Sequence, residues 1–195
     1  MADQVTVRDE GAKFQPHPEG QFPARCVDVI NLGLRVETFQ GKSPRVVKKA
    51  AIVFDTGTTG ETGEPLTVHT EFTLSMFERA GLRLFLESWR GRSYTEEEAT
   101  AGVPLDKLEG HAALLSVEHK RSATGRTYAK IKTISPLPKG LPVPDGTYKR
   151  AEFWAKRKEE YALEVAKHRA QHASQDDGPS YDPLGDDDLD DSLPF

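Results

Sequence analysis

The chain has 195 residues, 36% of them hydrophobic and 29% charged; this suits one folded domain with a solvated appendage and excludes one large core. The net charge of −5 is segregated: eight of the 31 acidic residues and none of the 26 basic ones lie in Gln175–Phe195, so residues 1–174 carry a net charge of +3. A single cysteine, Cys26, excludes an internal disulfide and a Cys-x-x-Cys zinc site, and with no signal pattern and no apolar run near the ~20 residues of a membrane span the chain reads as soluble and cytoplasmic, with no membrane partner.

Residues 1–19 are polar, contain Pro16 and Pro18, and read as a flexible N-terminal arm. Phe22 to Ile30 is a first strand, with Phe22, Ala24, Cys26 and Ile30 on one face, ended by Asn31-Leu-Gly33. Arg45 to Phe54 is a second strand and Asp55 to Pro65 a polar, glycine-rich turn. In Leu66 to Leu74, the residues Leu66, Val68, Phe72 and Leu74 alternate with Thr67, His69, Glu71 and Thr73, which predicts a third strand paired with the second. Ser75-Met-Phe-Glu78 has the form of a helix capping box and opens a helix running to about Ser88, with Leu82, Phe85, Leu86 and Trp89 as its apolar stripe. Thr95-Glu-Glu-Glu98 starts a short second helix that Gly102 and Pro104 stop. Gly110 to His119 and Thr127 to Ile134 are the fourth and fifth strands, joined by the basic turn Lys120–Arg126. A marginal, partly docked helix is predicted over 147–173, with Trp154, Tyr161 and Val165 near one stripe. Residues 174–195 have almost nothing to bury and read as a disordered acidic interaction tail.

Three strands, a helix and two strands, spanning 20–140, are the element order of an OB-fold, a five-stranded barrel with a helix between strands three and four. The fold class expected is therefore mainly β: an OB-fold barrel, a C-terminal helix and a disordered acidic tail. Another small α+β domain and an incomplete sandwich remain as alternatives.

The tail carries the most specific chemistry. Asp186, Asp187, Asp188, Asp190 and Asp191 repel one another and keep the segment extended, and Leu193-Pro194-Phe195 forms an apolar tip. Such a tip suits a small greasy pocket ringed by Arg or Lys. Burying Phe195 contributes roughly 1.5–3 kcal/mol, and the aspartates add salt-sensitive attraction. The tip resembles the C-termini of bacterial single-stranded DNA-binding proteins and the acidic, Phe-terminated tails of phage ones, although Ser192 interrupts the aspartate run and Leu193 stands where Ile is usual. Pro18–Gly33, Glu87–Arg92 and Tyr128–Gly140 resemble a family of phage-encoded OB-fold single-stranded DNA-binding proteins. These resemblances imply a sequence-independent binder that protects single-stranded DNA in phage DNA replication, recombination or repair. They also imply that the tail recruits a polymerase, helicase, primase or nuclease, and they leave open whether the chain forms a homo-oligomer. The alternative is an acidic replisome adaptor whose barrel binds a protein instead of DNA.

Sequence-independent binding of single strands needs cations that track phosphates and flat side chains that stack on bases. Four groups supply them: Arg45, Lys48 and Lys49 on strand two; Trp89, Arg90, Arg92 and Tyr94 around the end of the helix; Lys120, Arg121 and Arg126 in the fourth-to-fifth-strand turn; and Tyr128, Lys130 and Lys132 on one face of strand five. His69 is a weaker candidate. Trp89 and Tyr128 each have two readings, core packing and base stacking. The tail is also expected to compete with DNA for this basic face.

Enzyme readings find little support. Gly57–Gly63 lacks the Gly-Lys-Ser/Thr end of a phosphate-binding loop, and no Glu lies between His168 and His172 in zinc-protease form. Cys26 has no nucleophile signature. No catalytic residue, metal or cofactor is expected.

Overall fold

The computed structural model describes residues 15–38, 43–61, 63–145 and 148–172. One antiparallel sheet of five strands dominates it: β1 (Gly20–Glu37), β2 (Arg45–Thr59), β3 (Pro65–Thr73), β4 (Ala112–Arg121) and β5 (Thr127–Ser135), in the spatial order β3-β2-β1-β4-β5. Helices α1 (Gly81–Arg90) and α2 (Glu96–Ala101) and a short 3-10 turn, Leu105–Leu108, separate β3 from β4, and α3 (Phe153–His172) follows the sheet. The edge strands β3 and β5 approach each other but share no ladder. The sheet is therefore open among the described residues, and the mainly β class is seen without closure into the expected five-stranded barrel.

Two irregularities in β1 bend this sheet. Its register slips between Cys26 and Asp28 and again between Asn31 and Gly33, so the strand pairs with β4 over Gly20–Arg25 and with β2 over Arg25–Glu37. Asn31-Leu-Gly33, expected to end the strand, is the second of these bulges. Gly33 has a φ of 80°, a value that favours glycine, and its N–H donates to Asn31 Oδ1 at 2.9 Å. The strand consequently runs seven residues beyond Ile30.

Beneath one face lies a core of Ala24, Cys26, Ile52, Phe54, Val68, Leu115, Val117, Ile131 and Ile134, closed by Leu82, Leu86 and Trp89 of α1. The predicted helical stripe thus faces inward, but the start of the helix differs from expectation. Ser75 Oγ accepts the N–H of Phe77 in a local turn, and α1 begins six residues later behind Ala80, without a side-chain cap. The capping box is instead at Thr95 and Glu98, where it opens α2.

A second core covers the other face. Ile30 and Leu32 of β1 and Ala51 and Val53 of β2 pack against Trp154 and Tyr161 of α3. Five consecutive residues, Ala50 to Phe54, are buried because α1 covers one side of β2 and α3 the other. Polar contacts pin α3 in place. Tyr161 Oη donates to Glu71 Oε2 at 2.8 Å, and Arg157 and Arg35 pair with the same carboxylate at 2.6 and 3.8 Å. Arg150, just before the helix, forms an ion pair with buried Asp28 on β1. The predicted marginal helix over 147–173 is thus an integral layer over 153–172.

The N-terminal residues also differ from the flexible arm expected over 1–19. Residues 1–14 lie outside the described residues, but residues 15–19 are docked on the sheet. Gln15 Oε1 accepts the N–H of Glu61, His17 is buried, and Glu19 Oε1 accepts the N–H of His119. The tail at 174–195 lies outside the described residues.

If α3 belongs to the folded unit, Trp154→Ala lowers global stability by about 3–5 kcal/mol in a single urea transition. An early melt of helix signal ahead of an unchanged sheet transition would contradict this.

Candidate nucleic-acid interface

With α1 beneath the sheet and α3 above β1–β3, the uncovered outer surface belongs to the β4–β5 hairpin. Its register places Lys120 directly opposite Tyr128, Glu118 opposite Lys130 and Arg121 opposite Thr127. Alternation along the strands brings Glu118, Lys120, Tyr128, Lys130 and Lys132 to one face, while Val117 and Ile131 turn into the core. Tyr128 is 41% exposed. Glu118 organises the lysines: its carboxylate lies 3.0 Å from Lys120 Nζ and 3.7 Å from Lys132 Nζ. The Lys120 hydrogen bond, with the Lys132 and Lys130 charges behind it, holds the Glu118 carboxyl below the usual range.

The turn at the hairpin's tip is built by its own backbone. Ser122 N–H donates to Arg126 O at 2.8 Å and Gly125 N–H to Ser122 O at 2.9 Å, with Gly125 at a φ of 80°. Ser122 Oγ also accepts the N–H of Arg126. Arg121 and Arg126 are exposed at this turn and pair with no carboxylate among the described residues. The face and its tip carry five cations, Lys120, Arg121, Arg126, Lys130 and Lys132, and Glu118 pairs with two of them, Lys120 and Lys132.

A histidine pair, which sequence reasoning missed, fixes the base of the hairpin. His119 Nε2 contacts His17 O at 2.8 Å, and the His17 ring sits edge-on to Phe22. His17 Nε2 lies 2.6 Å from Thr56 Oγ1 and its Nδ1 2.9 Å from Pro18 O. The contacts span 102 residues between His17 and His119 and 39 between His17 and Thr56, and no local pattern encodes such distant pairs. Burial lowers the His17 pKa from 6.5; the hydrogen bond to Pro18 O opposes it, and the weaker effects of His119 and Asp55 lower and raise it respectively.

The other expected contact residues lie elsewhere, and most are already engaged. Trp89 is only 7% exposed, donates through Nε1 to Ala112 O at 2.9 Å and packs edge-on against Phe54. It is a core residue and presents no stacking surface. His69 lies beneath α3, its ring 4.8 Å from that of Trp154, and burial lowers its pKa. Lys49 is buried and ion-paired with Glu37. Arg45 is half-buried at the start of β2 and Lys48 is exposed on the same strand. Arg90, Arg92 and Tyr94 do come together, but around an acid: both guanidiniums bind Glu98, at 3.0 and 3.3 Å, and Arg90 stacks 4.0 Å over the Tyr94 ring. Chiefly the Arg90 hydrogen bond, with Thr95 N–H, holds the Glu98 carboxyl down at about 2. Asp186, Asp187, Asp188, Asp190, Asp191, Leu193, Pro194 and Phe195 lie outside the described residues.

Among the described residues, no three His, Cys, Asp or Glu side chains converge to hold a metal, and no helix is long and apolar enough to cross a membrane. The chain matches no protein-family model and no curated protein.

The buried neutral imidazoles make stability depend on pH. Above 6.5 both folded and unfolded chains are neutral at His17 and His69, and the contribution is complete. Below 6.5 the unfolded chain takes up the protons first, so stability falls as pH descends through the lowered folded pKa values. Urea midpoints measured from pH 8 to 5 should decline along this limb, and His17→Gln with His69→Gln should flatten it. An unchanged slope in that double variant would disprove the assignment.

Proposed function

We propose that this chain is a sequence-independent single-stranded DNA-binding protein. In this reading the curved sheet is an OB-type barrel and the β4–β5 hairpin is its DNA-binding face. One observation carries the reading: an exposed tyrosine shares with Lys120, Lys130 and Lys132 a sheet face that neither α1 nor α3 covers, and Arg121 and Arg126 stand at the adjoining hairpin tip. Tyr128 offers a face on which any base can stack, and Lys120, Arg121, Arg126, Lys130 and Lys132 track the phosphates on either side. Both contacts ignore base identity. The common OB-fold route across strands two and three is closed here by α3. That helix is no removable lid, because the surface beneath it is Ile30, Leu32, Ala51 and Val53. The tail, Asp186–Phe195, recruits replication or recombination enzymes by its acidic run and apolar tip.

The adaptor reading draws on a different observation. Lys49, Arg90 and Arg92 are tied to Glu37 and Glu98, which leaves the cationic surface narrower than the sequence suggested. A fluorescence titration with labelled oligo-dT separates the two. DNA binding predicts tight association at low salt that weakens steeply as salt is added, since each phosphate contact contributes about 0.7 to the log–log slope. No association at low salt would favour the adaptor.

The same titration tests the face. Tyr128→Ala should cost about 1–3 kcal/mol of binding, with Tyr128→Phe restoring it, and Lys132→Glu should weaken binding and flatten the salt slope. Glu118→Gln should tighten binding, because it frees Lys120 and Lys132 for phosphate. Weaker binding by Glu118→Gln would show that the carboxylate positions the lysines productively and does not restrain them.

A further inference from the structure

An apolar groove runs between the second bulge of β1 and α3, on the side of the sheet where α3 packs. Its floor is Leu32, Gly33 and Leu34, and its wall is one stripe of α3: Lys158, Ala162, Val165, Ala166 and Arg169. The groove exists because three of these positions carry little side chain. Ala162 and Ala166 lack bulk, and a Cβ at Gly33 would meet nothing within 4 Å. Its volume is about 290 Å³ and its lining is predominantly apolar, room for one large side chain and too small for a folded partner. Lys158 and Arg169 stand toward its two ends, and neither pairs with a carboxylate among the described residues. A greasy slot with an unpaired cation at each end fits an apolar side chain carried on an acidic strand.

We propose that this groove receives the chain's own Asp186–Phe195 segment, with Phe195 or Leu193 in the slot and the aspartates against Lys158 and Arg169. Reach is not limiting. The 23 residues after His172 can extend about 70 Å, whereas α3 itself is about 30 Å long and Arg169 lies in its last turn. Tethering also supplies a roughly millimolar effective concentration, enough to hold a weak contact. The groove parks the tip reversibly, so an enzyme that takes the tip must first displace it. Docking in this groove is independent of DNA binding and puts the tail on α3 instead of on the β4–β5 face.

The test uses the full chain without DNA. Cys26 is buried and its thiol is pushed up to about 12 by that burial, so it resists labelling, and a spin label attaches selectively at Ser192→Cys. The amide signals of Gly33, Ala162 and Ala166 should broaden in NMR spectra. They should sharpen again when Lys158→Glu and Arg169→Glu are introduced together, or when salt screens the contact. Three results would overturn the proposal. One is no selective broadening. Another is broadening centred on Lys120–Lys132, which would put the tail on the hairpin. The third is broadening of isotope-labelled, spin-free protein by separately spin-labelled molecules, which would make the occupant a second copy.

Discussion

Burial of β2 from both sides is the constraint on which the other features depend. Ala50 to Phe54 are inaccessible because α1 closes one side and α3 the other. At roughly 25 cal/mol per Å2 of apolar area, neither layer can be removed without exposing a face built for a hydrocarbon neighbour. The consequence is directional. With both sides of the central strands largely given to packing, the widest polar strand surface among the described residues is that of the β4–β5 hairpin.

The hairpin shows how a small polar cluster can be held firm on an exposed surface. Its tip is closed by its own backbone and by Ser122, and its base is tied through His119 to His17 and Glu19. Between them Glu118 spaces the lysines. The carboxylate has two opposed effects: it orders the cations and subtracts from their field. A similar arrangement around Glu98 has gone further: there one carboxylate holds two arginines, and Arg90 is also stacked on Tyr94.

Where sequence reasoning erred, the physical cause is identifiable. Ser75 and Glu78 have capping-box spacing, yet Ser75 bonds to Phe77 in a turn, because a local motif does not know where the tertiary packing of Leu82 and Trp89 needs the helix to begin. Asn31-Leu-Gly33 reads as a stop and is a bulge, since the same residues that end a strand also let it bend. His69 and Lys49 belong to a regular alternation that faces outward on an isolated sheet. They turn out to be covered because α3 and Glu37 occupy that side.

Local pattern alone made legible the order of strands and helices, the inward stripe of α1, the start of α2 and the cationic composition of the β4–β5 hairpin. These follow from periodicity, caps and charge, which act over a few residues. Long-range packing was needed to establish that Trp89 is core, that α3 roofs the sheet, that His17 clamps His119, and that a groove with cationic ends lies between Leu32–Leu34 and the Lys158–Arg169 stripe. Each of these depends on contact between residues far apart in the chain, and such contacts are selected by packing and desolvation of the whole fold, which no local spacing of residue types encodes.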